Sequence, residues 1–271
     1  MRTLSSRIQL ENPPVDKHVT GRAVPRTIQT GAHLYFILGG FGITLRYVAR
    51  KLLLRPPVDP HAERLRLHRQ FLRYLRLLEQ HGILEVSFSG FDDAGTWQRS
   101  VLAPNHPSIF DAVLLMSRVP GLDCVMNSRL LRNPVMGGAS RLCGFVRNDT
   151  PLSMVKDCRD RLAEGRNILI FPEGTRSTGF PVGPFHHGYA SAAARAGAVI
   201  RTVLIECDTD YFGRNFSFFR PARCPVRFRV TTGDIFQPSP EDDPRAVSAG
   251  IEKYFRKNLF RDANGVRRCT P

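Results

Sequence analysis

From Ile83 onward the sequence alternates short apolar runs with stretches of helical period, and this alternation constrains the fold more than any other feature of the chain. The runs ILEVSFSGF (83–91) and RSVLAP (99–104), followed by Leu122 to Met126, Asn167 to Phe171, Ala198 to Ile205 and Pro225 to Thr231, read as strands. Between them Ser108 to Arg118, Pro151 to Ala163 and Tyr189 to Arg195 read as helices, and Pro244 to Leu259 reads as a terminal amphipathic helix. Helical crossovers of this length bring successive strands side by side in the same direction. The expected fold class is therefore α/β: a mixed, mostly parallel sheet covered by helices, spanning residues 83–240, with a C-terminal helix and tail over 241–271. Open sheets of this kind place their ligand sites beyond the carboxyl ends of the strands.

Two regions precede the sheet. Residues 1–26 are polar and punctuated by proline, and are expected to form a flexible arm; their lack of an apolar core ahead of a small-residue cleavage site argues against a secretory signal. Residues 27–82 are expected to form a helical, membrane-associating region that leads into the sheet. Its apolar heart, Leu34 to Leu45, would be about 18 Å long as a helix against roughly 30 Å of bilayer hydrocarbon. That length leaves three readings open: a span completed by flanking polar residues, a helix dipping into one leaflet, or a helix packed on the core. The next segment, His61 to Gln80, sets Leu67, Phe71, Leu75 and Leu78 at helical spacing and Arg66, Arg69, Arg73 and Arg76 at intervals of three and four. This amphipathic helix either packs on the core with a solvated Arg face or lies on anionic lipid.

Charge supports an anionic partner, because 39 Lys and Arg against 24 Asp and Glu leave a net +15. The six cysteines are scattered without a CxxC pair, so neither a zinc site nor a dithiol motif is expected and the thiols are expected to be reduced. HExxH, GxxxxGK, GxGxxG and GxSxG are all absent, which removes the zinc-peptidase, P-loop, dinucleotide and serine-hydrolase fingerprints. No metal and no bound cofactor are expected.

The chemistry concentrates in two blocks. NHPSIFD (105–111) follows the strand RSVLAP, which puts His106 at a strand-to-helix junction and Asp111 about one turn into the predicted helix. A neutral imidazole there can take a hydroxyl proton, and a carboxylate on its other nitrogen fixes the tautomer and stabilises the imidazolium. Taken alone, a His and an Asp at this spacing are a common accident of composition. The second block, FPEGTRS (171–177), follows the apolar strand NILIF and so falls at a strand's carboxyl end as well.

NHPSIFD followed by FPEGTRS resembles the glycerolipid acyltransferase family, typified by lysophosphatidate acyltransferases, over roughly Leu102 to Glu206. The resemblance implies a membrane-associated O-acyltransferase at the cytoplasmic face, peripheral or monotopic, in phospholipid biosynthesis. It implies transfer of a fatty acyl chain from acyl-CoA or acyl carrier protein to the hydroxyl of a lysophospholipid such as lysophosphatidate. By the same resemblance His106 is the general base and Asp111 orients it, while Glu173, Gly174, Thr175 and Arg176 belong to the acceptor site, with Arg176 on the acceptor phosphate. Arg147, in Gly144-Phe145-Val146-Arg147, stands near the family's second phosphate-binding Arg, although it arrives slightly early.

Phe185-His186-His187-Gly188 matches a further family block, with the two histidines read as packing or rim residues. Arg201 and Thr202 stand where the family carries a Val-Pro pattern, a departure that leaves room for a different acceptor headgroup. The implied partners are membrane lipid, an anionic membrane surface and the acyl donor, and not nucleic acid. Two other readings are an acyltransferase of a specialised lipid or polyketide-like pathway with a non-glycerol acceptor, and a non-catalytic basic lipid-binding protein.

Overall fold

The segment Ser100–Pro104 is buried at every residue, which a strand achieves only when both faces of its sheet are covered. A computed structural model describes residues 24–53, 56, 58–177, 179, 181–209, 224–261 and 267–269, so residues 1–23 of the expected arm lie outside the described residues. The helices are α1 (Arg26–Leu52), α2 (Pro60–Gln80), α3 (Asp111–Arg118), α4 (Gly137–Cys143), α5 (Pro151–Ala163), α6 (Gly188–Ala196) and α7 (Pro244–Asn258). The strands are β1 (Leu84–Ser89), β2 (Ser100–Pro104), β3 (Asp123–Met126), β4 (Val146–Arg147), β5 (Ile168–Leu169), β6 (Val199–Cys207) and β7 (Val226–Phe236), with β8 (Leu259–Arg261) and β9 (Arg267–Cys269) pairing separately.

The seven-stranded sheet has the order β1-β7-β6-β2-β5-β3-β4. Strands β6, β2, β5, β3 and β4 run parallel to one another, while β7 is antiparallel to β6 and β1 is parallel to β7. This is the mixed, mostly parallel sheet that the alternation predicted. Successive residues of β2 face opposite layers. Leu102 joins the layer built by α2 and α3 with Tyr74, Leu78 and Leu114, whereas Val101 and Ala103 join the layer of α5, α6 and α7 with Leu162, Tyr189 and Phe255.

Several elements differ from expectation. The strand predicted over Asn167 to Phe171 pairs only through Ile168 and Leu169, with Ile170 N donating to Leu102 O at 3.0 Å before Pro172 ends the run. Strand β7 continues past Thr231 through Thr232, Gly233 and Asp234 because β6 supplies the pairing, with Thr202 Oγ1 donating to Asp234 O at 2.8 Å. Helix α4 and strand β4 were not expected as elements. Their residues are too few to show a period, and α4 ends on Gly144, whose φ of 63° is the left-handed conformation that closes a helix.

The first two helices pack antiparallel. Tyr74 near the end of α2 donates to Ala32 O near the start of α1, and Arg46 late in α1 pairs with Glu63 early in α2. Helix α1 is 27 residues long, about 40 Å, because the helical run extends through the polar flanks of its apolar heart. One face is docked: Gly40 lies against Val135, Gly138 N donates to Thr44 Oγ1 at 3.1 Å, and Tyr35 and Phe36 pack on Tyr74. The opposite face exposes Leu34, Leu38, Phe41, Leu45, Val48 and Leu52. Helix α2 turns Arg66, Arg69, Arg73 and Arg76 outward, opposite its buried Leu67, Tyr74, Leu75 and Leu78.

A buried ion cluster fastens α2 to the sheet. Arg64, 4% exposed, donates to Gly121 O at 3.1 Å and Cys143 O at 2.9 Å. Asp123, fully buried at the start of β3, accepts from Arg161 Nη1 at 2.6 Å and has Arg64 and Arg166 at 3.8 Å. Burial pulls the Arg64 pKa below the ordinary arginine value, and Asp123 opposes that shift. Removing one member of such a cluster strands the others. Asp123→Ala should therefore cost about 3–5 kcal/mol of folding stability in urea titrations, and a change within about 0.5 kcal/mol would contradict the assigned role.

Candidate active site

Strands β2, β5, β3 and β4 all end on one edge of the sheet, so the segments that leave them are neighbours there. Asn105, fully buried, prolongs the β2/β6 ladder by one residue with its side chain: Nδ2 donates to Ile205 O at 2.9 Å and Oδ1 accepts from Ile205 N at 2.7 Å. This pin delivers His106 to the edge. The helix then begins at Asp111 itself, not a turn earlier as predicted. The reason is local: Ser108 N and Ser108 Oγ each donate to the Asp111 carboxylate at 2.8 Å, and Phe110 N donates to Ser108 Oγ at 2.9 Å. Residues 108–110 thus form a hydrogen-bonded turn ahead of the helix, and Asp111 sits where the helix dipole favours negative charge.

His106 Nδ1 lies 2.7 Å from Asp111 Oδ2. An ionised carboxylate only accepts, so Nδ1 carries the hydrogen of this bond, and in the neutral ring the lone pair is on Nε2. Asp111 is fully buried and the His106 side chain is 18% exposed, and no described residue bonds Nε2. The ring stacks on Phe171, with centroids 3.8 Å apart and planes 21° from parallel. The expected base and its carboxylate are therefore brought together, with the second nitrogen left for a ligand.

Glu173 takes a place different from the acceptor site expected of it. It is 4% exposed, and its Oε1 accepts from His106 N at 3.0 Å and Ser177 Oγ at 2.7 Å while Oε2 accepts from Gly183 N at 2.7 Å. Ser177 N returns a bond to His106 O at 2.8 Å. With these lone pairs committed inside the chain, the carboxylate braces the two motif turns against each other. Gly174 adopts φ of 65°, a conformation that calls for glycine, and a Cβ there would crowd the exposed His186 ring at 3.1 Å. Thr175 is exposed and Arg176 half-buried on the same turn, and His186 and His187 are exposed beside it.

Arg147 ends β4 on the same edge, three strands from β2 and so about 14 Å away. It is exposed and paired with Asp149 at 2.7 Å. Arg201 and Thr202 lie away from the site. They pair with Leu102 and Ala103, and the Arg201 guanidinium points back to stack on Trp97 at 4.5 Å and reach Ser100 Oγ at 3.3 Å. The departure from Val-Pro is thus accommodated in the packing of the sheet. Four residues of the site had no role assigned from sequence: Asn105, Ser108, Phe171 and Ser177. All fall inside the two motifs: Ser108 acts on Asp111 three residues away, whereas Asn105, Phe171 and Ser177 take their roles from segments distant in sequence.

Residues 85–206 match the family model described as Acyltransferase. A 1-acyl-sn-glycerol-3-phosphate acyltransferase of Chlamydomonas reinhardtii is 34% identical over 110 residues, which are 39% of this chain and 33% of the relative. A lyso-ornithine lipid O-acyltransferase of Pseudomonas aeruginosa is 32% identical over 110 residues, 39% of this chain and 42% of the relative. The alpha form of 1-acyl-sn-glycerol-3-phosphate acyltransferase from Mus musculus is 25% identical over 205 residues, 70% of each chain. The chain thus spans about a third of the length of the first curated relatives it matches. Among solved structures, the 1-acyl-sn-glycerophosphate acyltransferase of Thermotoga maritima shares the fold, with a TM-score of 0.62, 16% identity and coverage of 85% of this chain and 94% of that one.

The brace makes a prediction independent of chemistry. Glu173→Ala leaves three donors without their acceptor and should cost about 2–3 kcal/mol in denaturant unfolding. Hydrogen exchange should show the His106 amide deprotected in that variant and unchanged in Thr175→Ala. Protection retained in Glu173→Ala would refute the brace.

Proposed function

Because the chain belongs to the glycerolipid acyltransferase family through residues 85–206, we propose that it transfers a fatty acyl chain from an acyl thioester to the hydroxyl of a lysophospholipid, with His106 as general base. The observation that carries this reading is the His106–Asp111 pair, closed at 2.7 Å on Nδ1 with Nε2 left available at the ligand-binding edge of the sheet.

The acceptor hydroxyl approaches the thioester carbonyl as Nε2 takes its proton, and the new C–O bond gives a tetrahedral oxyanion. Collapse breaks the C–S bond, and the departing thiolate recovers the proton from the imidazolium. Asp111 holds the ring and offsets the transient positive charge. Arg176 stands nearest in sequence to the brace and is the proposed contact for an acceptor phosphate, a role suited to a planar fork of donors. Arg147, exposed and paired with Asp149, is a rim residue in this reading. Lysophosphatidate is the preferred acceptor because most of the relatives named above act on acylglycerol phosphate. A second reading, an acceptor without glycerol, rests on the match of similar strength to the lyso-ornithine lipid enzyme. The donor is acyl-CoA or acyl carrier protein, which places the reaction at the cytoplasmic face.

The first two helices fit attachment to that surface from one side. Helix α1 is long and apolar enough to cross a bilayer by length and composition, yet it is docked along the domain through Gln29, Ala32, Gly40, Thr44 and Arg46. Lying in the interface, it would immerse the stripe from Leu34 to Leu52 while the outward arginines of α2 meet anionic headgroups.

Two measurements test the proposal. Purified protein should acylate members of a panel of lysophospholipids and lyso-ornithine lipid, offered with both CoA and carrier-protein thioesters; His106→Ala should lower turnover about 10²–10⁴-fold. Near-normal turnover in that variant would sink the mechanism. In flotation with anionic vesicles, changing Arg69, Arg73 and Arg76 together to Gln should weaken binding about 10- to 100-fold at physiological salt, and undiminished binding would remove α2 from the membrane surface.

A further inference from the structure

The stack of His106 on Phe171 has a geometry that discriminates between the two charge states of the imidazole. The ring centroids are 3.8 Å apart and the planes 21° from parallel, closer than the offset or edge-on arrangements that two neutral aromatic rings prefer. The quadrupole term between two neutral π faces is unfavourable in that arrangement and offsets part of their dispersion attraction. A cationic ring over the negative face of a benzene ring is attracted. Phe171 is half-buried and leaves strand β5, and its backbone is fixed by the turn it opens, with Gly174 N donating to Phe171 O at 3.0 Å. The imidazole is fixed in turn by Asp111 through Nδ1 and by the Glu173 brace through the His106 backbone. These bonds fix the imidazole and the backbone from which the Phe171 ring projects.

We infer that Phe171 is a positioning residue that acts through His106, its face stabilising the imidazolium formed as the acceptor proton is taken. The inference rests on the acyl-transfer reading above. The stack contributes more when the proton sits on Nε2 than when the imidazole is neutral, so it favours the transition state over the ground state and acts on kcat rather than on substrate binding. The carboxylate of Asp111 stabilises the same charge from the ring edge, through Nδ1, while Phe171 does so from the ring face. The two contributions are separable because one is removed by changing an acid and the other by changing the electron density of an aromatic ring.

The test compares four proteins in the acyl-transfer assay: wild type, Phe171→Leu, Phe171→Trp, and a variant with pentafluorophenylalanine at position 171, which keeps the shape and reverses the sign of the face. Phe171→Leu and the fluorinated variant should each lose about 5- to 30-fold in kcat with KM for donor and acceptor within about twofold, while Phe171→Trp should stay within about threefold of wild type. A fluorinated variant as active as wild type would overturn the inference, and so would a loss that appears in KM. The fluorinated ring fills the same space, so the question remains answerable even if Phe171→Leu folds poorly. Activity in wild type that is abolished by His106→Ala, together with indifference to the fluorinated ring, would defeat this inference alone. Absence of transfer by wild type would defeat the functional reading beneath it.

Discussion

The bond from the His106 backbone N–H to the buried carboxylate of Glu173 holds the site together, because it joins segments that leave two adjacent parallel strands. Without it, the turn after β2 and the turn after β5 would be two loops on a sheet edge, each free to move against the other. With it, and with Ser177 N returning to His106 O, the two motifs become one rigid body. The same acid reaches Gly183 on the way to α6, so one carboxylate sets the relative position of three stretches of chain. A buried carboxylate is costly unless its oxygens are satisfied, and here hydrogen bonds from two backbone amides and a hydroxyl satisfy them.

The pair at the centre of the site inherits its precision from this frame. Asp111 is held by Ser108 before it meets His106, and Asn105 fixes the chain immediately upstream through the backbone of Ile205. The imidazole is therefore constrained on its edge by Asp111, on its face by Phe171 and along its backbone by Glu173. Preorganisation of this kind holds the imidazole in one orientation at the sheet edge.

The N-terminal helices are tied to the same frame by different means. Tyr74 of α2 stacks with Phe110, in the turn that precedes Asp111, at 6.2 Å, while Arg64 enters the ion cluster around Asp123 at the opposite end of the sheet. The pair is anchored at both ends. An apolar stripe on α1 and an arginine row on α2 are consequently presented outward as a fixed surface, in a fixed relation to the edge that carries His106.

The sequence by itself determined the fold class, because alternating strand and helix periods leave few other ways to bury the apolar runs. It also paired His106 with Asp111 and set both motifs at strand ends, since the two side chains lie within a few residues of one another. What it could not determine was which residues the motifs turn inward. Glu173 reads as a ligand contact from its motif and proves to be a brace, and Arg201 reads as a change at the site and proves to lie on Trp97, away from it. Phe171 and Asn105 gain their roles only from partners 65 and 100 residues away in sequence. Sequence spacing fixes what a few neighbouring residues can do together. Only the tertiary structure decided which distant segments meet, because strand order and register depend on packing the whole chain around one sheet.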